Sequence, residues 1–153
     1  MTLDISKDMA IIAGTIVALT TFLTGVLEFA RQSHLRRVEQ FVQMRRRFLE
    51  TPEFQEILRL ITTDDARLEH IAVQSRRNFG GFLEEVALMV NSRFISREVA
   101  HYMFGHYVLM TSQSVNFWKG LERDGRYWTL FHAFAAQMDE HARRPIDVEK
   151  LRF

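Results

Sequence analysis

The sequence predicts an all-α protein: one N-terminal helix long enough to cross a bilayer, followed by a bundle of about four helices. Three observations predict it. Met9 to Leu27 holds no charged side chain. From Phe54 onward, apolar residues recur at the three- and four-residue spacings of helices. Runs of alternating polarity, which would mark strands, are absent. The expected division is residues 1–8 outside the cytoplasm, 9–30 as a transmembrane helix, 31–50 as a basic juxtamembrane helix and 51–153 as a cytoplasmic helical bundle.

The uncharged run has 19 residues and as a helix covers about 28 Å, the thickness of the hydrocarbon layer. A cleavable signal peptide fits poorly, because the chain opens with Asp4, Lys7 and Asp8 and leaves the run through Glu28-Phe29-Ala30, without a small-x-small site. A buried helix of a soluble domain is the other rival, helped by Gly14, Thr15, Thr20, Thr21, Thr24 and Gly25. Thr and Gly are tolerated in spans, and the length of the unbroken run favours crossing.

Charge sets the orientation. Lys7 is the one basic side chain before the run, whereas Arg31, Arg36, Arg37, Arg45, Arg46 and Arg47 follow it against the single acid Glu39. Lys and Arg stay on the cytoplasmic side, so the N-terminus is expected outside and the large domain in the cytoplasm. The balance is +5 over residues 31–47 and −2 from Phe48 onward, so the basic character is local to the membrane exit. Those six arginines read first as a topology signal, with adhesion to anionic lipid headgroups as the alternative. No aromatic platform is interleaved with them, which argues against nucleic acid. The absence of Cys fits a reducing compartment.

The span has a patterned side. At 100° per residue, Ala10, Gly14, Ala18, Thr21 and Gly25 share an arc of about 80° that holds no large residue. Ile12, Ile16, Leu19, Leu23, Val26 and Leu27 lie opposite. Small residues at spacing four let two backbones approach, so the arc reads as a helix-pairing seam and the protein as a homo-oligomer. Glu28 extends the same side, where it reaches water or pairs with Arg31; meeting its counterpart across a dimer is the alternative.

Beyond the span, Leu35, Val38, Val42 and Leu49 hold a seven-residue repeat interrupted by Arg45, and the helix is expected to run to about Glu50. Thr51-Pro52-Glu53 starts a short helix with Phe54, Ile57, Leu58 and Ile61 inside. Thr63 before Asp64-Asp65 signals another, carrying Leu68, Ile71 and Ala72. At Asn78-Phe79-Gly80-Gly81 two adjacent glycines predict a bend, a short loop or a close packing contact; a phosphate loop lacks its strand and its Lys or Ser/Thr. Phe82, Leu83, Val86, Met89 and Val90 then line a helix that Asn91 ends. Ser96 caps the longest soluble helix, with Val99, Tyr102, Met103, His106, Tyr107, Met110, Phe117 and Leu121 on its inner side. After the Asp124-Gly125 turn, Tyr127, Leu130, Phe131, Phe134, Ala135 and Met138 form the inner side of a last helix that Arg143-Arg144-Pro145 stops. Thirteen Phe in the chain predict a bulky aromatic core.

Catalytic chemistry has no foothold. His101 and His106 are about 140° apart on a helix and cannot easily share an ion. Glu84 points away from the Phe79, Leu83 and Val86 side, and Glu85 lies nearer its edge. His106, on the apolar side, reads as a buried, hydrogen-bonded core histidine before it reads as a ligand. His70, His132 and His141 find no partner at workable spacing. Nucleophile elbows and cysteine chemistry lack their sequence context. No cofactor, metal or catalytic residue is expected.

The order Phe82-Leu83-Glu84-Glu85-Val86-Ala87, then Tyr102-Met103-Phe104-Gly105-His106-Tyr107, then Phe117-Trp118 and Tyr127-Trp128 resembles small bacterial membrane-anchored proteins grouped as a domain of unknown function. The resemblance covers about 60 residues, from Phe79 to Met138. It implies a bacterial single-span protein with a helical cytoplasmic domain and transfers no activity. It singles out Glu85, His106, Tyr107 and Trp118 as the first bundle residues to mutate. The leading expectation is a membrane-tethered interaction or regulatory module that touches lipid, pairs through its span and offers its bundle to a protein partner. A bilayer-permeabilising effector and an enzyme with an unrecognised site are the alternatives.

Overall fold

The computed structural model describes residues 2–145, 149 and 151, with side chains from Ala13 onward except His34. Ala10 and Ile12, expected on opposite sides of the span, lie outside the described side chains. The described residues form helices and turns without a strand. The chain divides into two compact units, residues 1–40 and 41–153.

The first unit is one helix. Helix α1 spans Thr2–Glu50, reaching the end that the juxtamembrane pattern predicted, and its last turns from Phe41 belong to the second unit. In these last turns Val42 and Leu49, two of the expected repeat, are exposed, whereas Phe41 and Phe48 are buried. Phe41, Met44 and Phe48 follow the three- and four-residue spacing of a single helix face and pack on the core.

Helix α2 spans Pro52–Ile61 and buries Phe54, Ile57, Leu60 and Ile61. Thr51 stands at its N-cap, but the hydroxyl donates to the Arg47 carbonyl at 2.6 Å and closes α1 instead. The helix expected after Thr63 is a short 3-10 turn, Ala66–His70, whose first amides are capped by the Asp65 carboxylate through Arg67 N–H at 2.9 Å. Asp64, at φ 48°, occupies the left-handed region that Asp tolerates better than most residues, and that reversal ends the helical path.

Helix α3, Val73–Asn91, runs through both glycines and stops where Asn91 predicted. A loop is thereby excluded at this pair, and close packing is realised at Gly80, discussed below. At the start of α3, Arg76 is 2 % exposed. Its Nη1 donates to the carbonyls of Phe117 at 2.6 Å and Lys119 at 2.7 Å, and its Nε to Ile71 at 3.1 Å. Burial pulls its pKa below the usual arginine value, while Glu69 pulls the other way.

The single long helix expected from Ser96 is divided. Ser96 does cap α4, Arg97–Ala100, accepting from Val99 N–H at 3.1 Å. A π-helical turn, His101–Gly105, then leads into α5, His106–Gln113. The wider turn advances the inner face. Ala100, Phe104, Val108 and Thr111 are buried, whereas Tyr102 and His106, expected inside, are exposed. Phe117 and Leu121 do reach the core, from a loop rather than a helix. A 3-10 turn, Arg126–Trp128, precedes α6, Thr129–Ala142. There Trp128 is buried and Tyr127, expected inside, is 88 % exposed.

The core is aromatic, as the Phe count predicted. The Phe48 ring stacks on Phe82 at 5.0 Å and meets Phe104 edge-on at 5.2 Å, while Phe54 meets Phe79 edge-on at 5.3 Å. Offset and edge-to-face pairs of this kind add about 0.5–1.5 kcal/mol each beyond area burial.

Candidate functional site

Two regions are left over once packing is accounted for. The first is the apolar stretch of α1. Ile16, Val17, Leu19, Phe22, Leu23, Val26, Leu27 and Phe29 are all exposed, and this stretch of the helix has a mean hydropathy of 1.6 over 18 residues, long and apolar enough to cross a membrane. Three of its threonine hydroxyls are satisfied within the helix. Thr20 donates to the Ile16 carbonyl at 2.8 Å, Thr21 to Val17 at 2.9 Å and Thr24 to Thr21 at 2.9 Å. Such i−3 and i−4 bonding removes the need for water at these side chains.

Along the expected seam, a Cβ at Gly14 or Gly25 would meet nothing within 4 Å, and Ala18 and Thr21 are exposed. Among the described residues of α1, nothing packs against the open side of Gly14 and Gly25. Glu28 accepts from Gln32 Nε2 at 3.1 Å rather than pairing with Arg31. All six arginines past the span, Arg31, Arg36, Arg37, Arg45, Arg46 and Arg47, are exposed. Arg46 pairs with Glu50 at 3.5 Å, and Arg47 pairs with Glu85 while its guanidinium lies 5.0 Å over the Phe82 ring.

The second region is a groove of about 730 Å³ beside α3 in the bundle. Trp128 packs against Gly80 so closely that a Cβ there would stand 2.6 Å from the indole. The next residue, Gly81, lines the groove, and a Cβ on it would meet nothing within 4 Å. Gly120, at φ 75°, Leu121 and Glu122 also line it. Trp128 and the exposed Tyr127 supply the aromatic surface, and Arg77 and Glu84 the charges from α3.

Glu84 was expected to point away from the core side, yet it is half-buried, because α6 packs over this part of α3. Its Oε1 accepts from Phe131 N–H at 3.1 Å, serving as cap for the first turn of α6, where Trp128 at the N-cap position has no capping side chain. Burial pushes the Glu84 carboxyl up, against the Phe131 amide and His132, which lower it.

Of the four residues singled out in the bundle, Glu85 and His106 are exposed, Tyr107 is half-buried and Trp118 is buried. Glu85 is exposed in its ion pair with Arg47. His106 is exposed with its ring edge-on to Tyr107 at 5.3 Å, so the core-histidine reading does not hold. Tyr107 is half-buried against Phe48. Trp118 is buried, its Nε1 donating to the Thr111 carbonyl at 2.8 Å and its ring edge-on to Trp128 at 5.3 Å. His101 and His141 approach with ring centroids 5.8 Å apart, and burial lowers the His101 pKa, helped by His141. Among the described residues no three His, Cys, Asp or Glu side chains group as a metal site.

No protein-family model, no curated protein and no solved structure matches this chain.

Proposed function

We propose that the chain is a membrane-tethered interaction module whose α1 crosses a bilayer once and pairs there with a second copy. The observation that carries this reading is the wholly exposed apolar stretch of α1, with three threonine hydroxyls bonded to the helix itself. In water, so long an exposed apolar stretch is a liability for aggregation; in lipid it is the ordinary surface of a span. The small residues Gly14, Ala18, Thr21 and Gly25 then face a second helix instead of lipid, and Ala10 would extend that seam. The arginines from Arg31 onward favour a cytoplasmic side for the bundle, next to lipid headgroups. With no reactive constellation recognised, the bundle acts by binding a protein or small-molecule partner at the membrane. The resemblance to small bacterial membrane-anchored proteins agrees with this placement.

Cysteine-free as it is, the protein suits single-cysteine mapping. Thr2→Cys is expected to react with a membrane-impermeant maleimide on intact cells, and Gln113→Cys only after lysis. The intact chain should resist alkaline carbonate extraction, and Gly14→Ile should lose most of the crosslinked dimer seen for the wild type. A protein released by carbonate contradicts the span, and unchanged crosslinks in Gly14→Ile contradict the seam.

A further inference from the structure

Gly81 presents a physical puzzle. A glycine inside a helix costs about 1 kcal/mol relative to alanine. Its neighbour Gly80 has a packing reason, the Trp128 indole, but Gly81 has none, since a Cβ on it would meet open space within 4 Å. The open space is the groove of about 730 Å³, a volume in the range of small-molecule sites. Its makeup is also specific. The Trp128 ring is held in place by Gly80 and by Trp118 at 5.3 Å, and Tyr127 stands 88 % exposed beside it. Two carboxylates, Glu84 and Glu122, outnumber the one guanidinium of Arg77. One Glu84 oxygen is engaged by the Phe131 amide.

We propose that this groove binds an organic cation, a guanidinium or alkylammonium group on an apolar stem, with the stem over Gly81, the aromatic rings of Trp128 and Tyr127 beside it, and Glu84 and Glu122 as counter-charges. Aromatic surface next to carboxylate is the combination that rewards a cation with an apolar body over a hydrated inorganic ion. The missing Cβ of Gly81 lets the stem approach the α3 backbone closely. Arg77 works against the cation, which gives the proposal a sign to test. The inference concerns the bundle alone and holds whether or not α1 spans a bilayer.

The test is calorimetric titration of the full chain in detergent micelles with butylguanidinium, with butyrate and butanol as anionic and neutral probes of the same length. Saturable binding of butylguanidinium is expected, weak because so small a probe offers few atoms, with no binding of butyrate or butanol. Glu84→Gln keeps an oxygen for the Phe131 amide and removes the charge, and should weaken binding on the order of tenfold, the weight of one charge-assisted hydrogen bond. Arg77→Gln should tighten it. Gly81→Leu should abolish it, and Tyr127→Ala, at an exposed position, weakens it without a folding risk. A blocked peptide with one arginine distinguishes the source: tighter binding than butylguanidinium points to a protein side chain, equal binding to a free small cation. Failure of butylguanidinium to saturate overturns the proposal. So does binding unmoved by Glu84→Gln and Tyr127→Ala, or strengthened by Glu84→Gln and weakened by Arg77→Gln.

Discussion

Trp128 closes over Gly80 so tightly that a Cβ on the glycine would stand 2.6 Å from Cζ3 and 2.8 Å from Cη2 of the indole. The ring is confined on its inner side, being 8 % exposed and set edge-on against Trp118 at 5.3 Å and Phe131 at 6.4 Å. Gly80→Ala is therefore expected to destabilise the bundle by about 1–3 kcal/mol through overpacking, despite the better helix propensity of alanine. Gly81→Ala, one position on and free of contacts, should stabilise it by about 0.5–1 kcal/mol. Thermal melts of the two variants, followed by circular dichroism in detergent, should shift in opposite directions; equal shifts would contradict the close contact.

Arg76 ties the start of α3 to the loop that carries Phe117 into the core. Its guanidinium satisfies the carbonyls of Ile71, Phe117 and Lys119 from a nearly sealed position, 2 % exposed. Arg76→Met keeps most of the stem and removes every donor, leaving those carbonyls to find other partners. A loss of about 3 kcal/mol or more is expected, since each buried acceptor left alone costs about 1–3 kcal/mol. Hydrogen exchange should quicken at residues 116–119 before it does in α6. A variant as stable as wild type, with unchanged exchange, would mean that water substitutes for the guanidinium.

The helical class, the end of α1, the start of α2, the stop of α3 at Asn91 and the Ser96 cap were legible because each is written in local chemistry: caps, proline, and apolar spacing. What was not legible depends on partners distant in sequence. Tyr102 and His106 were placed inside because a 3.6-residue period was continued through His101–Gly105, where the π turn shifts the face so that Phe104 and Val108 point in. Val42 and Leu49 look like core by the heptad rule, yet Phe41 and Phe48, one residue earlier in each case, are the buried pair. The groove was missed altogether. Gly81, Glu84 and Tyr127 lie up to 46 positions apart, and only the packing of α6 and its leading turn beside α3 brings them together; the glycine pair was the one visible hint.

The acid limit of the fold should reside in Asp64. Its carboxylate accepts from Ser114 Oγ, from Val115 N–H at 3.0 Å and from Asn116 N–H at 3.2 Å, while Asn116 Nδ2 donates back to the Asp64 carbonyl at 2.6 Å. Burial pushes this carboxyl up, but the hydrogen bonds from Ser114, Val115 and Asn116 together outweigh it and hold the group below its ordinary value of 3.8. A carboxyl depressed in the folded state contributes stability that is full above its unfolded pKa and lost as pH falls through the folded one. Asp65 adds to the same trend, held at about 2 by the hydrogen bonds from Arg67. The wild-type melting temperature should accordingly fall as pH drops from about 4 toward 2, the interval these two carboxyls define. Asp64→Asn tolerates the left-handed backbone and keeps one acceptor, so it isolates the charge. It should cost about 1–3 kcal/mol at neutral pH, the range for hydrogen bonds to a charged group, and flatten the acid decline. Melting curves of both proteins at neutral pH and at pH near 3 check this, and an Asp64→Asn decline as steep as that of the wild type would assign the acid sensitivity elsewhere.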